Sequence, residues 1–133
     1  MGRILIVDDD PDFAEALGRI LALCGHRTET VSNGWEALIA TDASRFDLII
    51  LDLMMPGMDG ATFLNILRKA ANTHAVPVLI VTALSHEDAA PRLKSALVNG
   101  VFTKGADLID DLLAQVNRIL GPDLVNDPFL NSN

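Results

Sequence analysis

Five short apolar runs, each followed by a segment of helical period, constrain this chain more than anything else in it. The runs are 3–7, 27–31, 47–52, 76–82 and 100–104, and they are rich in Val, Ile and Leu. Two of them are apolar almost throughout, as strands covered on both faces should be. Strict alternation of strand and helix implies a parallel sheet with right-handed crossovers and helices on both faces. The expected class is therefore α/β, a doubly wound five-stranded parallel sheet. At 133 residues the chain fits one domain with a real core, and a hydrophobic content of 50% rules out a disordered chain.

The helices carry their own punctuation. Asp10 can cap the first, with Pro11 in its first turn, where the missing N–H costs nothing. Phe13, Leu17, Ile20, Leu21 and Cys24 then share a face, and Gly25 ends it. The second opens at Asn33 with Glu36 as a capping-box partner and should bury Ala37 and Leu38. The third opens at Asp59 and should bury Phe63, Leu64 and Leu67. In the fourth, Ser85 and Asp88 resemble a start, but Pro91 lies too deep for that start without a kink, so the regular helix is expected to begin near Pro91. Asp107 should cap the fifth, with Ile109, Leu112, Leu113, Val116, Ile119 and Leu120 as its buried stripe and Gly121-Pro122 as its stop.

Residues 1–120 form the expected domain and 121–133 read as a tail or the stump of a linker. The formal net charge of −8 argues against nucleic-acid binding by this chain and against anionic membrane surfaces. No apolar run approaches the ~18 residues of a spanning helix. The N-terminus has no secretory pattern, and Ile6 stands where a myristoylation signal needs Ser or Thr. Cys24 is the single cysteine and reads as a buried thiol. His26, His74 and His86 lack metal-ligand spacing and read as loop or surface residues. A soluble cytoplasmic domain is the expectation.

Asp8, Asp9 and Asp10 follow the first run, and Asp52 closes the third, before a loop marked by Pro56, Gly57 and Gly60. In a sheet of order 2-1-3-4-5 the first and third strands are neighbours at the switch point, so these acids converge where such sheets place ligands. Clustered carboxylates either raise a pKa or hold a divalent cation, and hard oxygen ligands favour Mg²⁺. Acids at a helix start are common, and that plain role suits Asp10. It does not account for Asp8, Asp9, Asp52, Thr82 and Lys104 together, each at the carboxyl end of a strand.

Ile4-Leu5-Ile6-Val7-Asp8-Asp9-Asp10-Pro11, the segment 51–60 around Asp52, Val81-Thr82-Ala83 and Thr103-Lys104 occur in this order, and together they resemble a response-regulator receiver domain over residues 3–120. The resemblance implies a flavodoxin-like (βα)₅ fold and a role in two-component signalling. It implies that Asp52 is a phosphoacceptor for the phosphohistidine of a sensor histidine kinase or phosphotransfer protein, not part of a turnover enzyme. It implies Mg²⁺ held by Asp8, Asp9, Asp52 and the Met54 backbone carbonyl, with Lys104 and Thr82 binding the phosphoryl group. Phosphorylation would then alter the face made by the fourth helix, fifth strand and fifth helix, which binds a partner protein and is also the interface if the chain dimerises.

Three positions depart from the family's pattern. Val101 stands where an aromatic switch residue is usual, and Phe102, one place later, should point to the opposite face as a core residue. Gly105 replaces the proline after the lysine, and a non-proline cis bond costs ~2.5–4 kcal/mol, so a trans peptide or a remodelled loop is expected there. Pro91 is the third. A metal-dependent phosphohydrolase of the haloacid-dehalogenase type would need an acid two residues after its nucleophile, where Met54 stands.

Overall fold

A computed structural model of the chain describes residues 2–94 and 96–121, so the expected tail lies outside the described residues except for Gly121. Strands β1 (Arg3–Val7), β2 (Arg27–Val31), β3 (Leu48–Leu51), β4 (Val78–Thr82) and β5 (Gly100–Thr103) alternate with helices α1 (Pro11–Leu23), α2 (Gly34–Ala43), α3 (Gly60–Lys69), α4 (His86–Leu93) and α5 (Leu108–Leu120). All pairings are parallel and the strand order is β2-β1-β3-β4-β5, the doubly wound sheet expected from the alternation. None of the described helices is long and apolar enough to cross a membrane.

The two-residue period of a strand sorts the core into two layers. Leu5, Val7, Ile49, Leu51, Val78 and Ile80 pack on one face with Ala37, Phe63, Leu64, Leu67, Ala89 and Leu93 from α2, α3 and α4. Ile4, Ile6, Leu48, Ile50, Leu79 and Val81 pack on the other with Leu17, Leu21, Leu112 and Val116 from α1 and α5. The edge strands β2 and β5 are only partly buried, which explains why polar Thr28, Glu29 and Thr30 are tolerated in β2.

The strands are shorter than expected at 47–52, 76–82 and 100–104, yet parallel bonding runs past their ends. Asp47 N donates to Arg3 O at 2.8 Å, Asp52 N to Val7 O at 2.9 Å and Lys104 N to Thr82 O at 2.8 Å. These bonds determine where Asp52 and Lys104 leave the sheet.

Most helix boundaries follow their caps. Asp10 Oδ1 accepts from Asp12 N and Phe13 N, Asn33 Oδ1 from Glu36 N, and Asp59 Oδ1 from Thr62 N. Gly25, just after α1, has φ 92°, the left-handed conformation that ends helices. Several expectations are corrected. Helix α4 starts at His86, with Ser85 Oγ accepting from Asp88 N at 3.1 Å, and Pro91 lies inside it. Pro91 is exposed and α4 ends at Leu93, so the N–H it lacks would have bonded on the solvent side of a helix about to end. Asp107 precedes α5 without a side-chain capping bond. Glu36 accepts from Ser32 N and Ser32 Oγ, one residue before the expected capping-box partner. Leu38, Ile109, Ile119 and Leu120 are half-buried at the margins of the core rather than inside it. His26 is buried, its Nδ1 accepting from Gly2 N at 3.0 Å. Cys24 is buried as expected.

Candidate functional site

Asp8 and Asp52 emerge from adjacent strands at the carboxyl edge of the sheet, each anchored through its own backbone. Asp8 N donates to Val31 O at 3.1 Å and Asp52 N to Val7 O at 2.9 Å. With Asp9 they bring one carboxylate oxygen each within 4.8 Å of one another. Asp8 and Asp52 are 4% and 6% exposed, whereas Asp9 faces solvent. Asp8 Oδ1 accepts from Asp10 N at 2.9 Å and Asp52 Oδ1 from Met54 N at 3.2 Å. The second oxygen of each turns to one ammonium: Lys104 Nζ lies 2.8 Å from Asp8 Oδ2 and 3.4 Å from Asp52 Oδ2. Gly105 follows Lys104 without a cis bond, and the lysine reaches the cluster all the same.

Burial raises the Asp8 pKa, and the charge of Asp52 adds to that rise; the hydrogen bonds from Lys104 and Asp10 N oppose it without cancelling it. Burial alone would lower Lys104, but the hydrogen bond to Asp8 and the charges of Asp52 and Asp8 outweigh it and hold the ammonium above its ordinary value. An acid whose pKa is raised by folding is a cost to the folded state wherever it is ionised. That cost is fully present above the raised value and vanishes below the ordinary 3.8. Asp8→Asn, measured without divalent ions, should therefore melt above the parent at neutral pH. The difference should shrink as pH falls through the raised value towards 3.8. A lower Tm for Asp8→Asn at pH 7 would mean that the Lys104 pair outweighs burial.

Thr82, at the carboxyl end of β4, is fully buried. Its Oγ1 accepts from Leu84 N at 3.4 Å, while Leu84 O accepts from Thr103 Oγ1 at 3.1 Å. The loop between β4 and α4 is thus tied to both strand ends through Leu84. Val101 packs on the α4 side of the sheet and Phe102 on the α1–α5 side, the alternation expected of a strand. Beside Val101 a pocket of about 280 Å³ is lined by His86, Ala90, Leu93 and Val98.

Three residues contribute to the site in ways their place in the sequence does not announce. A Cβ on Gly60 would stand 2.3 Å from the Asp52 carbonyl oxygen, so only glycine lets α3 begin against the backbone that carries Asp52. Its place in a Pro-Gly-Met-Asp-Gly loop was the available signal. Phe13 belongs to the apolar face of α1, and its ring lies under Lys104 Nζ, 4.3 Å from the centroid. Arg68 donates to Val76 O at 2.7 Å and Leu97 O at 2.8 Å, pinning α3 to the loops that precede β4 and β5. No local pattern marks such long-range bonds.

The model of the response regulator receiver domain matches residues 4–117. Protein PilH from Pseudomonas aeruginosa is 33% identical over 120 residues, covering 90% of this chain and 98% of its own. The receiver domain of a signal transduction histidine kinase from Syntrophus aciditrophicus superposes with TM-score 0.82 at 37% identity, covering 90% of each chain. The response regulator TrrA from Thermotoga maritima, solved in complex with Mg²⁺-BeF, gives TM-score 0.79 at 32% identity over 90% of this chain and 99% of that one. Among curated relatives that are DNA-binding or transcriptional regulators, the chain spans about a third to a half of their length.

Proposed function

The chain belongs to the response regulator receiver family, and on that premise we propose that Asp52 is its phosphoacceptor, serving a sensor histidine kinase or phosphotransfer protein in the cytoplasm. The observation that carries the reading is the convergence of Asp8, Asp9 and Asp52 within 4.8 Å, with Lys104 bridging Asp8 and Asp52. An Asp52 oxygen attacks phosphorus, the new O–P bond forms as the P–N bond to the donor imidazole breaks, and the histidine leaves with the electron pair. Such a transfer depends chiefly on positioning and charge neutralisation.

The residues fit a divalent cation: the donors are all hard oxygens, two are buried, and an ammonium already sits between two of them. Asp8, Asp9, Asp52 and the Met54 backbone carbonyl would hold Mg²⁺. When bound, the ion supplies positive charge against the phosphoryl oxygens. Lys104, already beside Asp8 and Asp52, would pair with the same oxygens. The Thr82 hydroxyl, now engaged with Leu84 N, is the donor that would turn to the phosphoryl group and release that end of the loop. Because Leu84 is also bonded to Thr103, the movement passes to β5 and α4. The proposed output is a change in the α4-β5-α5 face, which binds a downstream protein or a second copy. Residues 1–120 are proposed as the phosphoacceptor unit, with 121–133 as its tail or linker.

The test is incubation with Mg²⁺ and acetyl phosphate followed by intact-mass measurement. One phosphoryl group per chain, absent when Mg²⁺ is chelated, is the expected result. No adduct under conditions where Mg²⁺ binds would point to a docking domain that does not use phosphorylation. Turnover of many donors per chain, after subtraction of autohydrolysis, would point to a phosphatase.

A further inference from the structure

We propose that Phe13 is a positioning residue for Lys104, its ring face forming the floor that holds the ammonium between Asp8 and Asp52. The contact stands on geometry alone; its effect on phosphoryl uptake rests on the phosphoacceptor reading. Lysine is a poor choice for fixed aim, being a point charge on a four-carbon stem with many rotamers. Here Asp8 and Asp52 take the ammonium on one side, at 2.8 and 3.4 Å, and the Phe13 ring lies 4.3 Å away on another. That separation is within the range of cation–π attraction. The chain beyond Lys104 adds little restraint, because Gly105 has neither a side chain nor any atom within 4 Å of where one would start.

Phe13 is held from two directions. Its N–H donates to Asp10 Oδ1 at 3.3 Å in the α1 cap, and its ring packs half-buried against the layer made by α1 and α5. Asp10 N in turn donates to Asp8 Oδ1 at 2.9 Å. The single turn from Asp8 to Phe13 therefore sets both the nearest carboxylate of Lys104 and its aromatic floor. The plainer role, an apolar residue closing the core, accounts for the packing but not for the ammonium over the ring. Without the ring the ammonium is free to follow solvent or to settle against Asp8 alone.

The test compares Phe13→Leu, which keeps an apolar side chain, with Phe13→Tyr, which keeps the ring, in the full chain. The first readout needs neither metal nor donor: NMR shifts of the Lys104 ε-methylene protons, which a ring face below displaces upfield. The displacement should persist in Phe13→Tyr and disappear in Phe13→Leu. The rate of phosphoryl uptake from acetyl phosphate should fall about fivefold in Phe13→Leu and recover in Phe13→Tyr. Phe13→Met, which fills irregular space well, replaces Phe13→Leu should the latter not fold. Unchanged Lys104 shifts on loss of the ring would overturn the proposal, as would equal slowing in the aromatic and aliphatic variants. If the parent itself takes up no phosphoryl group, the phosphoacceptor reading fails, while the NMR arm still decides whether the ring holds Lys104.

Discussion

Asp52→Asn should fold as well as the parent and take up no stable phosphoryl group, with uptake reduced by at least ~100-fold. The amide matches the carboxylate in shape, and its one oxygen can keep the bond from Met54 N or the one from Lys104, which reach different oxygens of the carboxylate. It lacks the nucleophilic charge on which the attack depends. Stability should change little, because neutralising Asp52 removes its repulsion of Asp8 and its attraction for Lys104 together. Loss of uptake with a Tm close to the parent's separates a chemical role for Asp52 from a structural one. Residual uptake near the parent's would place the acceptor elsewhere.

Gly60→Ala should be among the most damaging single-methyl additions this chain can receive. The new Cβ would lie 2.3 Å from the Asp52 carbonyl oxygen, 2.8 Å from Leu53 Cα and 3.0 Å from Asp52 C. All three are backbone atoms of the segment that carries the acceptor, so no side chain can rotate away. Gly60 N also donates to Leu53 O at 3.0 Å, which locks the start of α3 to that same segment. Overpacking of this kind costs about 1–3 kcal/mol, a fall in Tm of roughly 4–11 °C for a domain of this size. The displaced Asp52 backbone should also slow phosphoryl uptake. Gly105→Ala serves as the comparison for stability, since a Cβ there meets nothing within 4 Å. Equal melting temperatures for the two variants would contradict the packing argument.

The architecture was legible because the signals for it are local. Leu48-Ile49-Ile50-Leu51 reads as a strand buried on both faces, and it is one; Asp10, Asn33 and Asp59 read as caps, and each accepts the expected backbone bond. Alternation then implies the topology, and the topology places Asp8 beside Asp52. Where local signals compete, reading failed. Pro91 argued against a helix from Ser85, but its burial was not visible in sequence, and an exposed proline near a helix end is tolerated. His26 seemed a surface residue because nothing nearby announces that Gly2 N will bond to it. The clearance at Gly60 and the placement of Phe13 under Lys104 both depend on elements brought together by folding, as do the bonds from Arg68 to loops far along the chain.

The central claim is that one particular carboxylate, Asp52, receives the phosphoryl group. Borohydride reduces an acyl phosphate to an alcohol, converting a phosphorylated aspartate to homoserine, and peptide mass spectrometry then locates the converted residue. After treatment with Mg²⁺ and acetyl phosphate, conversion at position 52 with Asp8, Asp9 and Asp59 intact is the expected result. Conversion at another acid would contradict the account, as would an adduct that resists borohydride and maps to His74 or His86.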